Sequence, residues 1–94
     1  MTLLIHIHRR IPGDSDLTGV IAAMCAKNET TIVLEGAAIF SIGVLVDELA
    51  GTNSGYRLCV EDSTGLLPLQ REAERISRDD LPAIIASSDH VFSL

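Results

Sequence analysis

The side chains with the widest chemical reach in this chain are two cysteines, Cys25 and Cys59, and three histidines, His6, His8 and His90. A cysteine acts as a nucleophile or sulfur carrier in its thiolate form, which needs a nearby cation or a helix N-terminus. Cys25 falls on an apolar helical stripe and reads as a packed core thiol. Cys59 sits between Leu58 and Val60 and reads the same way. Its place near a strand end makes it the better candidate for a reactive thiol, although Glu61 and Asp62 follow it and are expected to raise its pKa. No Cys-x-x-Cys spacing points to dithiol redox work. His6 and His8 share one face of a strand, which can hold a metal. The preferred reading is a half-exposed or interfacial strand face, so neither a metal nor another cofactor is expected. His90 is too remote in sequence to count as a third ligand.

Other polar groupings are weaker. The basic pair Arg9-Arg10, followed by Gly13 and a helix start, suits an anion, but Asp14 and Asp16 lie where a phosphate would sit. There is no Gly-rich phosphate loop. No Ser/His/Asp grouping stands out by spacing, and Asp79-Asp80 reads as helix capping.

These residues need elements to position them. Thr2–His8 alternates, with Leu3, Ile5 and Ile7 on one face and Leu4, His6 and His8 on the other. Asp14, Ser15 and Asp16 are N-cap candidates for a helix reaching Lys27, whose stripe is Leu17, Ile21, Met24 and Cys25. A second strand covers Thr30–Leu34. Glu35-Gly36 then interrupts, and Ala37–Ala50 reads as a helix with a stripe of Ile39, Ile42, Val46 and Leu49. Phe40 and Val44 form a second apolar strip beside it, so this helix is expected to be buried on two sides, the second against another chain. Tyr56–Val60 is a third strand. Leu66–Glu74 reads as a short helix or irregular segment, and Arg75–Ser77 as a short fourth strand. Asp79 or Asp80 caps a last helix, with Leu81, Ile84, Ile85 and Ser88 facing inward, and His90–Leu94 is a final strand. The alternation predicts a single α/β domain over residues 1–94, a small flavodoxin-like or Rossmann-like three-layer sandwich with a mainly parallel sheet of four to five strands. Ligands in such sheets gather beyond the carboxyl ends of the strands. That places His8, Arg9, Arg10, Glu35, Gly36, Glu61 and Asp62 near one edge.

Bulk properties narrow the function. The chain has 94 residues, 47% hydrophobic but only 3% aromatic. Such an aliphatic small domain is expected to cover a partner with part of its apolar surface. The net charge of −6 and the short basic stretch argue against a direct grip on nucleic acid. No apolar run approaches the ~20 residues of a membrane helix. "MTLLIHIHRR" carries its charges after its apolar run, the reverse of a signal peptide. With two cysteines in no regular framework, a cytoplasmic location is expected.

Four stretches resemble the DsrE/DsrF/DsrH superfamily, most closely its DsrH/TusB-like branch: "IHIHRRIP", "TIVLEGAAIF", "YRLCVEDSTG" and "ISRDDLPAIIASSDHVFSL". The resemblance spans almost the whole chain and implies a DsrEFH-like fold. It implies a small cytoplasmic subunit of a persulfide-relay complex, serving tRNA 2-thiouridine synthesis or intracellular sulfur oxidation. The implied partners are DsrE-like and DsrF-like subunits, or further copies of itself. The helix-one cysteine of some H-type chains falls at about Val20, so the resemblance assigns no sulfur-carrying role to Cys25. Where the family has an aliphatic strand residue, this chain has Cys59. The implied role is therefore structural, with His8, Arg9, Arg10, Glu35, Gly36, Phe40, Val44 and Asp62 as candidate rim or interface residues. Two alternatives stand beside it: a thiol sulfurtransferase carrying persulfide on Cys59 or Cys25, and a small-ligand or nucleotide-binding module at the strand ends.

Overall fold

A computed structural model describes residues 2–11, 16–49, 56–61 and 73–94. In chain order the elements are β1 (Thr2–Ile7), α1 (Leu17–Lys27), β2 (Glu29–Leu34), a 3₁₀ turn (Gly36–Ser41) leading into α2 (Ile42–Leu49), β3 (Tyr56–Glu61), β4 (Ala73–Ile76), a 3₁₀ turn (Arg78–Asp80) leading into α3 (Leu81–Ala86), and β5 (His90–Ser93). The strands form one parallel sheet in the order β4-β3-β2-β1-β5. This is the α/β sandwich expected from the alternation of strand and helix patterns.

The helices divide between the two faces of the sheet. Ile5, Ile7, Ile32, Leu34, Leu58 and Val60 meet Ile21 and Cys25 of α1 and Leu45 and Leu49 of α2. On the opposite face, Leu4, Val33, Cys59 and Ile76 pack under Leu81, with Ile84 beside them. Going from β1 to β2 and from β2 to β3 moves one way across the sheet, whereas going from β4 to β5 moves back. Right-handed crossovers therefore put α1 and α2 on one face and α3 on the other. β2 is covered on both faces, which explains its continuous Ile32-Val33-Leu34 run.

Several sequence expectations shift. The predicted helix from Ala37 begins as the 3₁₀ turn and becomes α-helical only at Ile42. Its inward line is Ala38, Ser41, Leu45 and Leu49, while Ile39, Ile42 and Val46 flank it, partly buried. Three residues per turn at the start change the phase of the stripe. Ser41 points inward because its hydroxyl accepts the Ile11 backbone N–H at 2.6 Å. The fourth strand starts at Ala73, so Ala73 and Glu74 leave the predicted helical segment; the rest of that segment lies outside the described residues. Ile85, expected to face inward, is exposed at the rim of α3. Asp16 occupies the N-cap position of α1 without a side-chain capping bond; Asp14 and Ser15 lie outside the described residues.

Candidate functional site at the carboxyl ends of the strands

β1 and β2 each deliver polar residues to one corner of the sheet. His6 is in register with Val33. Two residues further along, His8 and Glu35 repeat that facing, because side chains alternate along a strand. His8 lies one residue past β1, yet its N–H donates to the Leu94 carbonyl at 2.8 Å. Glu35 lies one residue past β2, and its N–H donates to the Ile7 carbonyl at 3.0 Å. The sheet's hydrogen bonding thus extends one rung beyond the strands and fixes both backbones. Gly36 then adopts φ 61°, a left-handed conformation suited to glycine. A Cβ there would meet nothing within 4 Å, so the glycine serves the turn and not a close approach.

The side chains converge. His6 Nε2 and Glu35 Oε2 are hydrogen-bonded at 2.7 Å. His8 Nδ1 lies 3.5 Å from the same oxygen. The two imidazole centroids are 4.0 Å apart and tilted by 44°. One ligand-type atom from each of His6, His8 and Glu35 lies within 4.8 Å of the others. Arg78 Nη2 is 3.6 Å from the remaining Glu35 oxygen, and Arg78 Nε is 3.9 Å from Glu61 Oε1. Glu61 is buried and Glu35 partly so, while Arg78 reaches over them from an exposed position.

Arg78 is the site residue that sequence reasoning missed. Its neighbours carried a signal that concerned capping alone. Asp80 Oδ2 accepts from the Ser77 N–H at 2.8 Å and from the Ser77 hydroxyl at 3.2 Å. That closed turn holds Arg78 on the α3 side of the sheet. Glu35 and Glu61, expected near one edge, do share a cation there. His90 is in register with Leu3, toward the other end of β1, and stands apart from the cluster. Arg9 and Arg10 are exposed after β1. Phe40, on the 3₁₀ turn, and Val44, on α2, are exposed and take no part in the His–Glu contacts. Asp62 lies outside the described residues.

Neither thiol enters the site. Cys25 lies on the buried side of α1, where burial raises its pKa, partly offset by a hydrogen bond with Thr30. Cys59 is fully buried under α3. Burial is also the main cause of its raised pKa, with Arg57 opposing and Glu74 reinforcing. The expected influence of Glu61 on this thiol gives way to Glu74, whose strand position is in register with Cys59. At the far end of the sheet, a cleft of about 380 Å³ lies among Thr2, Glu29, Tyr56, Arg57 and Ser88. The Ser88 hydroxyl is already engaged there, donating to the Ile84 carbonyl.

The corner can bind a cation through two imidazoles and a carboxylate, or hold these groups together by hydrogen bonding alone. No family model matches the chain, and no curated protein or solved structure is matched by it.

Proposed function

We propose that this chain is a non-catalytic interaction subunit of a cytoplasmic sulfur-relay complex. In that complex, assembled with related DsrE-like and DsrF-like subunits, persulfide sulfur is relayed on cysteine toward tRNA 2-thiouridine or through intracellular sulfur oxidation. The reading begins from the sequence resemblance. The observation that carries the interaction role is Phe40, 74% exposed on the turn that launches α2, with Val44 exposed one helical turn later. Val20 is exposed on α1, which packs against α2. Large apolar side chains presented from neighbouring helices suit a protein partner. The burial and raised pKa of Cys25 and Cys59 favour placing the persulfide on a partner, and count against the thiol sulfurtransferase alternative.

Co-expression with DsrE-like and DsrF-like subunits, followed by native mass spectrometry, tests the reading. A stable complex containing this chain is expected. A chain that stays monomeric and captures neither subunit would overturn it.

A further inference from the structure

We propose that His6, His8 and Glu35 form a binding site for a divalent transition-metal ion of the zinc or cobalt class, with coordination positions left open toward the strand ends.

Four features carry this. First, the donors are two imidazole nitrogens and one carboxylate oxygen, a set that suits borderline ions such as zinc more than magnesium or calcium. Three protein donors leave room for water or a ligand, unlike a closed structural site. Second, the donor atoms already converge. His6 Nε2 and His8 Nδ1 lie 2.7 and 3.5 Å from the same Glu35 oxygen. Small side-chain rotations that separate Glu35 from His6 would admit an ion among the three.

Third, the backbones are fixed before any ion arrives. His6 lies within β1, and the rungs from His8 to Leu94 and from Glu35 to Ile7 anchor the other two. A site on such a scaffold binds without first ordering a loop. Fourth, the outer contact is in place. Arg78 faces Glu35 Oε1 and leaves Oε2 to the histidines, while Glu61 holds Arg78 from the other side. Partners of this kind orient a ligating carboxylate. The guanidinium also brings a positive charge near the ion, which favours a site of moderate affinity.

Titration of the full chain with Zn(II) alone, and separately with Co(II) followed by visible spectroscopy, tests the assignment. One ion per chain is expected, with cobalt ligand-field bands of a four- or five-coordinate site. His8→Asn and Glu35→Gln are each expected to weaken zinc at least about tenfold, and His90→Asn to leave it unchanged. His8 is 47% exposed, so its variant probes the ion without opening the core; circular dichroism checks that each variant is folded. Three results would overturn the proposal: no zinc bound at micromolar concentration, zinc affinity undiminished in folded His8→Asn and Glu35→Gln, or a thiolate-to-cobalt charge-transfer band placing the ion on a cysteine.

Discussion

Ser41 shows how a single residue can reverse its apparent role. In sequence it is one of the few polar positions on an apolar helix. In the fold it is buried and accepts the Ile11 N–H at 2.6 Å. Ile11 follows β1 and is itself buried, so this backbone donor needs a partner inside the protein. Ser41→Ala is expected to destabilise the chain by about 1–3 kcal/mol, the usual cost of leaving a buried donor unsatisfied. Urea unfolding would measure it, and a loss within error of zero would show that water or another acceptor replaces the hydroxyl. Glu35 also gains a role from its neighbours. Its sequence position suits the electrostatics of a helix end, but the turn that follows is 3₁₀ and the side chain meets His6. Only folding brings β1 and the end of β2 side by side.

Among the elements, the two ends of the sheet are closed differently. At the carboxyl end, the final rungs bring polar side chains together. At the amino end, Asp89 clasps the start of β1. Its Oδ2 accepts from the Thr2 N–H at 2.9 Å and from the Thr2 hydroxyl at 3.1 Å, and its own N–H donates to the Thr2 carbonyl at 3.0 Å. The backbone and side-chain bonds from Thr2 hold the Asp89 carboxyl below its ordinary value of 3.8. A depressed carboxyl pKa adds stability above the unfolded-state value, and that stability is lost as pH falls through the folded value. Asp89→Asn is therefore expected to lower Tm at neutral pH. The gap from the wild type should narrow below pH 3.8, as the wild-type carboxyl takes up its proton. Thermal melts across that range check it; a gap that is constant with pH would assign the loss to packing rather than charge. The clasp orders the link between α3 and β5, and so helps fix the edge of the sheet beside β1.

For the molecule as a whole, the main question is which apolar surface belongs to the core and which to a partner. β2 and its neighbours fill both layers beneath the helices, while Phe40 remains outside them. Phe40→Asp is expected to leave stability within about 0.5 kcal/mol, as for an exposed side chain without a structural role. It is also expected to abolish co-purification with the partner subunits. Thermal melts and a pull-down read the two effects separately. A large fall in Tm would place Phe40 in the core of the isolated chain, and unchanged capture would move the partner surface elsewhere. The all-exposed strand β5, with Val91 and Phe92, is a second apolar surface at the sheet edge.

The sequence by itself determined the alternating strands and helices, the parallel sheet they imply, and the packed nature of both cysteines. These are local matters: period-two alternation, helical stripes, turn residues and an apolar continuous strand are each written within a few residues. It also placed His8, Glu35 and Glu61 toward one end of the sheet, since strand direction follows from the α/β alternation. The tertiary structure decided the rest. It chose Glu35 over the distant His90 as the companion of the two histidines. It brought Arg78 across from β4 to face Glu35 and Glu61, and turned Ser41 inward. Those contacts depend on strand register, on which face α3 covers and on the phase of a 3₁₀ turn. All three are set by long-range packing, which no short stretch of sequence encodes.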